Sequence, residues 1–319
     1  MSIANLSALG QAATSPSLPA RRRHIQWNEV ATIVLFLAPA LGLFLTFMVA
    51  PVLYAAFVSL FSWKGFGPPL DFIGLDNYAK ILQDTVFLEA AVHGGLILVL
   101  SVAVQLPLAL GLALMVGRDL PGRAFFRTVF FMPYVLAEVS TAAIWRFTLD
   151  ADPQNGMVNA VIKFVGLKTV PWLGSLDTVM FAVFIALTWK FFGYHMLLYL
   201  AGLQNIPAEV EEAARIDGAS GLQILRYITI PLLGPTIRLT VYLSVLGSLQ
   251  QFTTVQLMTK GGPAHASEMP VTYMYNFGFV RFSYGYAAAA AMLLFGVCYI
   301  FSVVYQRFVM QQDVGGAVE

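Results

Sequence analysis

The chain has 319 residues, of which 58% are hydrophobic and 11% charged, where a soluble globular protein carries about 25% charged residues. Water is therefore not its main solvent, and 18 Lys and Arg against 17 Asp and Glu leave no basic surface that would attract nucleic acid. A single cysteine, Cys298, excludes an internal disulfide and a thiolate metal cluster, and His24, His93, His195 and His265 lie far apart without ligand spacing, so no metal site is expected.

Residues 1–28 are rich in Ser, Ala and Pro and end near Arg21-Arg22-Arg23, which reads as a flexible cytoplasmic leader. The apolar run from Val30 to Phe61 is far longer than the roughly 7–15-residue core of a signal peptide, so it reads as a span and not as a cleaved leader. A bilayer core about 30 Å thick needs about 20 apolar residues at a rise of about 1.5 Å each. Six segments satisfy that template, at 31–60, 93–117, 125–148, 177–203, 236–258 and 286–308, within a membrane domain spanning 29–310 that is followed by a tail at 311–319. The expected fold is all-α, polytopic, with about six transmembrane helices. The short connection Gly117–Arg127 packs Arg118, Arg123 and Arg127 together, which predicts that it is cytoplasmic and that both termini are too.

Between the fourth and fifth spans, residues 205–234 form a connection too long for a simple turn. Pro207 suits the first turn of a short helix, Glu209, Glu211 and Glu212 favour its positive end, and Gly218 supplies a left-handed stop. Ser220 and Gln223 form a capping box for a second short helix, with Leu222, Ile224, Leu225 and Ile228 as apolar contacts and Pro231 near its end. Ala213 and Ala214 give the first helix a small-residue face flanked by carboxylates, suited to close approach by a basic partner protein.

Polar and aromatic residues inside spans are expected to face a cavity or a partner. Leu187, Lys190, Phe191 and Tyr194 share one face of the fourth span, and Gly247, Ser248 and Gln251 share one of the fifth. Lys190 has two readings, pairing with an anionic solute or reaching an interface along its stem. Glu138 has a similar choice, with an inter-helix hydrogen bond as the simpler role. Gly94-Gly95, Gly111 and the alanine run 287–291 suggest close helix packing.

Glu212-Ala213-Ala214, Asp217-Gly218-Ala219 and Pro231 together resemble the cytoplasmic coupling loop of the permease subunits of binding-protein-dependent ABC importers. FFRTVFFMPYV at 125–135, WKFFGYHMLLYLAGLQNIP at 189–207 and LMTKGGPAHASE at 257–268 resemble the carbohydrate-uptake branch, of maltose and glycerol-phosphate type. Departures from that pattern are Leu225, where many relatives have phenylalanine, and His93, where asparagine is common. The resemblance implies alternating-access import of a sugar, with an oligosaccharide expected. Its implied partners are a homologous second permease, two ATP-binding cassette ATPase subunits and an extracytoplasmic solute-binding protein. No cofactor would be bound by this chain, ATP and Mg belonging to the ATPases, and the location would be the cytoplasmic membrane. It assigns Glu212, Ala213, Ala214, Asp217, Gly218, Ala219, Leu225 and Pro231 to ATPase coupling, and Leu187, Lys190, Phe191, Tyr194, Gly247, Ser248 and Gln251 to the solute pathway. Gly261-Gly262-Pro263 would be a rigid turn at the binding-protein surface or an ordinary loop turn.

Two other classes fit the composition. One is a self-sufficient secondary transporter or channel. The other is an intramembrane protease, because Gly218-Ala219-Ser220-Gly221 resembles the Gly-x-Ser-Gly of rhomboids; yet the only downstream histidine, His265, is expected on the opposite membrane face.

Overall fold

The computed structural model describes residues 27–117 and 122–310, and among them the chain is helical, its one strand-like contact being an isolated bridge between Phe61 and Phe72. Arg21–Arg23, Arg118 and the tail at 311–319 lie outside the described residues. Among the described residues, four helices are long and apolar enough to cross a membrane: α1 (Thr32–Val58), α2 (Thr85–Gly117), α5 (Val179–Gln204) and α9 (Tyr284–Met310). Two bent pairs bring the number to six when each pair counts as one span, namely α3 (Arg123–Val135) with α4 (Glu138–Thr148), turned by 96°, and α7 (Gly221–Leu232) with α8 (Gly234–Leu249), turned by 65°. The short α6 (Ala208–Ile216) precedes α7. The chain divides at Leu53 into two compact units. The first holds most of α1, whose side chains from residue 32 on are nearly all exposed; everything below concerns the second.

Helix limits differ from expectation where local chemistry overrides hydropathy. The second span begins at Thr85 and not at 93, because the Asp84 carboxylate caps it, accepting from the Val86 N–H at 2.9 Å and the Phe87 N–H at 3.4 Å. Its other oxygen accepts from the hydroxyls of Tyr273 at 2.6 Å and Tyr286 at 3.3 Å, tying the start of α2 to the short helix Pro270–Tyr275 and to α9. The fifth span ends at Leu249, and the expected continuation to 258 is a separate short helix, Thr253–Met258. The third span is not one rod: α3 runs through Pro133 to Val135, and Leu136 and Ala137 are both extended.

The long α5 is the axis of the bundle, packed by α2 and α3 along its length. One buried cluster joins Ala109 and Ala113 to Met196, Tyr199, Leu200 and Leu233. A second joins Ile97 to Val183, Phe184, Leu187, Val255 and Met269. In lipid such contacts gain by close packing, so small residues mark the crossings. The expected crossings hold in part: Gly94 is buried against Pro270 and Leu249, but a Cβ at Gly95 or Gly111 would meet nothing within 4 Å, and closer approaches lie elsewhere, since at Gly193 a Cβ would overlap the Phe130 carbonyl oxygen, at Gly202 the Thr236 hydroxyl and at Gly285 the Phe61 carbonyl oxygen. Of the alanine run, Ala289 and Ala290 are fully buried.

Candidate functional site: a coupling elbow and a mid-span cavity

The elbow is formed by α6 and the start of α7. Gly218 has φ +82°, a left-handed conformation that an L side chain adopts only under strain. Two bonds close the first arm, from the Gly218 N–H to the Arg215 carbonyl at 3.1 Å and from the Ala219 N–H to the Ala214 carbonyl at 2.9 Å. These are the paired bonds of a Schellman motif, so the turn satisfies two carbonyls that the helix end would otherwise leave bare. Pro207 sits one residue before the helix, as its N-cap. The second arm starts with the expected capping box: the Ser220 N–H donates to Gln223 Oε1 at 2.7 Å and the Gln223 N–H to Ser220 Oγ at 3.4 Å. Ser220 is thus occupied as a helix cap, while His265 lies beyond α8, where its Nδ1 is 3.0 Å from Glu268 Oε2.

Glu211 braces the elbow, accepting from the Thr229 hydroxyl at 3.0 Å and pairing with Arg215 at 3.3 Å. Ala213, Asp217, Gly218 and Pro231 are exposed, and Ala214, Ala219 and Leu225 half-buried. Glu212 is exposed on the rim of a groove of about 670 Å³, which also takes in Glu211, Arg215, Ile224, Leu225 and the ends of α2 and α5. Of the apolar residues expected as contacts of the second arm, Ile224 is buried, but Leu222 is 75% exposed, and with Ile216 at 86% and Tyr227 at 69% it leaves an apolar crest around the turn.

The second feature is a cavity of about 210 Å³ between α2, α3, α5 and α8. Leu187, Phe191, Tyr194, Gly247, Ser248 and Gln251 all line it; Lys190 does not. One wall is aromatic. Tyr134, from the last turn of α3, stacks on Tyr194 with ring centroids 4.6 Å apart and planes 17° apart, and meets Phe191 edge-on at 6.1 Å. The other wall is polar, with Ser101, Gln105, Ser244, Ser248 and Gln251, and Ser248 donates to Ser101 at 3.4 Å. Ser101 and Gln105 bound a π-helical turn within α2, the kind of local widening that recurs at functional sites. His195 and Ser244 line the cavity too, and among the described residues His195 Nδ1 and Ser244 Oγ are buried without a hydrogen-bond partner.

Lys190 is 3% exposed and turns the other way, donating to the carbonyls of Tyr134, at 3.0 Å, and of Leu136. Glu138 opens α4 just past the break. The sequence reading missed Tyr134, Ser101, Gln105, His195 and Ser244. Tyr134 lies in a stretch whose resemblance was visible, but nothing local announces that the helix stops there.

Beyond α8, the string Gly261-Gly262-Pro263 wraps the carboxylate of Glu268, which is 2% exposed and accepts from Thr272 Oγ1 at 2.6 Å and Asn276 Nδ2 at 3.3 Å. A Cβ at Gly261 would lie 2.5 Å from Glu268 Oε2, so the turn is closed around that group. Ser267 Oγ contacts Thr259 Oγ1 at 2.7 Å and the Gly262 carbonyl at 2.6 Å, making the loop a compact, internally bonded cap. His93 Nδ1, 3.0 Å from the Glu268 carbonyl oxygen, anchors it to α2.

The family described as binding-protein-dependent transport system inner membrane component matches residues 20–310. The probable ABC transporter permease protein YurN of Bacillus subtilis is 35% identical over 278 residues, covering 86% of this chain and 94% of that protein. The diacetylchitobiose uptake system permease protein NgcF of Streptomyces coelicolor is 30% identical over 309 residues, covering 93% of this chain and 86% of its own. A crystal structure of a bacterial alginate ABC transporter, in complex with an alginate pentasaccharide-bound periplasmic protein, contains a chain of the same fold, with TM-score 0.78 and 23% identity over 91% of this chain and 98% of that one. Because the family match runs through every described helix and includes both the elbow and the cavity, the chain belongs to the inner membrane components of binding-protein-dependent transport systems, multi-pass subunits that move a solute and are not enzymes.

Proposed function

We propose that this chain is one wall of a sugar path through an ABC importer, with an oligosaccharide as cargo. The observation that carries the reading is the cavity at the crossing of α3, α5 and α8, where Tyr134, Tyr194 and Phe191 face Gln251, Ser248 and Gln105. An aromatic face stacks on a pyranose ring while amides and hydroxyls bond its hydroxyl groups. A cavity of about 210 Å³ is small beside the roughly 300–1,000 Å³ of small-molecule pockets. That supports a half-site completed by a homologous second permease. Relatives named for diacetylchitobiose uptake and for an alginate transporter support a carbohydrate cargo.

The elbow is the coupling element. Its exposed Glu212, the small Ala213 and the crest of Ile216, Leu222 and Tyr227 suit insertion into a groove of a cytoplasmic ATPase that offers a basic residue and apolar lining. Arg123 and Arg127 at the start of α3 support a cytoplasmic position for that end of the bundle, and hence for both termini. ATP is handled by the two ATPase subunits. Their closure would swing α7 and α8 about the 65° bend and turn the cavity from one membrane face to the other. The solute-binding protein delivers cargo on the side of the Glu268 loop.

The test is reconstitution. Vesicles containing this chain, the second permease, both ATPases and the binding protein should accumulate a radiolabelled oligosaccharide only when ATP is supplied on the ATPase side. Uptake by this chain alone, driven by an ion gradient, would replace the reading with a secondary transporter.

A further inference from the structure

We infer that Lys190 is a positioning residue for the aromatic wall of the cavity: its ammonium group holds the broken end of α3 and thereby sets where the Tyr134 ring stands. The inference rests on the cavity being the solute path.

α3 stops at Val135, Leu136 and Ala137 are extended, and the chain turns through 96° before α4. A helix end leaves its last carbonyls without intrahelical donors. Lipid supplies no donors to such carbonyls, so a break at membrane depth needs partners from the protein or from a wetted cavity. Lys190 reaches the place from α5. It donates to the carbonyls of Tyr134 and Leu136, one on each side of Val135, and its Nζ lies 5.8 Å from the centre of the Tyr134 ring. An ammonium has three donors on a flexible stem, so it can serve two carbonyls of different direction where a planar amide is constrained.

One turn along α5, Gly193 brings the α3 backbone into direct contact at Phe130. The end of α3 is therefore fixed at two points, a steric one at Gly193 and a polar one at Lys190. Tyr134 projects from that fixed end and stacks on Tyr194, which belongs to the same face of α5. Lys190 holds the carbonyl of the very residue whose ring lines the cavity, while its own side chain stays out of the lining. The lysine thus acts on solute through Tyr134.

The test uses the assembled importer in proteoliposomes. In a Cys298→Ala background, Tyr134→Cys is labelled with a small maleimide, with and without Lys190→Met. Freeing the α3 end should change the labelling rate at least five-fold, and Lys190→Arg should label like the parent. An unchanged rate in Lys190→Met overturns the inference whatever the cargo is. Should Lys190→Met fail to assemble, Lys190→Gln, with a shorter stem, carries the same expectation and the same refutation. With Tyr134 in place, relative uptake of maltose, cellobiose and maltotriose should shift at least three-fold in Lys190→Met, and should not shift further when Lys190→Met is added to Tyr134→Ala. Equal slowing of all three sugars, or independent effects in the double variant, overturns the route through Tyr134. A parent that labels as expected but transports none of the three sugars counts against the proposed cargo and leaves the Lys190 result standing.

Discussion

Gly193→Ala puts a single methyl group against the backbone of α3. The new Cβ would overlap the Phe130 carbonyl oxygen, with the carbonyl carbon at 2.7 Å and Phe131 Cα at 3.1 Å, where ordinary contact begins at 3.4 Å. No side-chain rotation relieves this, because every atom met is main chain. α3 must move bodily off α5, at a cost of about 1–3 kcal/mol for overpacking. Alanine is the better helix former by about 1 kcal/mol, which offsets the lower end of that range. The expected net effect is a loss of up to about 2 kcal/mol, read as a fall of several degrees in the melting temperature of the detergent-solubilised complex. Gly111→Ala is the control: its Cβ meets nothing within 4 Å in this chain, so propensity acts alone and the melting temperature should hold or rise. Because the displaced α3 carries Tyr134, Gly193→Ala should also slow uptake more than Gly111→Ala does. Equal melting temperatures and equal uptake in the two variants would refute the crossing geometry.

At the elbow, Gly218→Val meets no neighbour but must hold φ near +82°, a strain of about 1–2 kcal/mol before the β-branch is counted, and Glu212→Arg reverses a rim charge. Both should leave the permease in the membrane with ATP-dependent uptake cut at least ten-fold, and normal uptake by either in vesicles would count against coupling through this loop. Asn159 is fully buried, with Nδ2 donating to the carbonyls of Asp150 and Val170, each at 2.8 Å, and Oδ1 accepting from the Val170 N–H at 2.9 Å. Asn159→Ala should cost about 1–3 kcal/mol and open the segment between α4 and α5 to limited proteolysis, and a cleavage pattern like that of the parent would contradict it. Asp84 titrates low: burial opposes ionisation, yet hydrogen bonds from Tyr273, the Val86 and Phe87 N–H groups and Tyr286 outweigh it. A carboxyl lowered on folding adds stability above its unfolded value of about 3.9, and that contribution is lost as pH falls through the folded value. Melting temperature should therefore be flat from neutrality to about pH 5 as far as this group is concerned, with a fall below about pH 4 that is shallower in Asp84→Asn. Identical acid limbs would argue against the Asp84–Tyr273 tie.

The spans and the elbow were legible because each rests on local chemistry. Apolar length marks a bilayer crossing irrespective of neighbours, and Gly218, Ser220 and Gln223 act within a few residues of themselves. The start of α2 was misplaced because Glu89 and His93 lower the hydropathy there. The cap that overrides them is a single side chain, Asp84, whose second oxygen is engaged by Tyr273, far along the chain. The small-residue expectation held at Gly94, Ala289 and Ala290, which are buried, and failed at Gly95 and Gly111 for the same reason. Gly95 and Gly193 look alike in a sequence, and only the path of α3 over α5 distinguishes them.

The cavity shows how finely a helical pattern resolves function. At about 100° per residue, Tyr194 lies about 20° from Leu187 around α5, Phe191 about 40° to the other side, and Lys190 about 60° away at the edge of the stripe. A stripe about 100° wide is a face in the sense of burial, yet its two edges look at different neighbours. Phe191 looks into the cavity and Lys190 at the break in α3. Which edge meets the cavity depends on where α3 ends, and α3 ends where Leu136 and Ala137 leave the helix, one turn after Pro133. A proline in a span is often absorbed as a kink, so its presence alone does not predict a 96° turn. The turn is tenable in lipid because a cation is at hand for the carbonyls it exposes, and the cation is tenable because the turn provides them. Neither residue pattern specifies the arrangement by itself; the pair does, across 54 residues of sequence between Leu136 and Lys190.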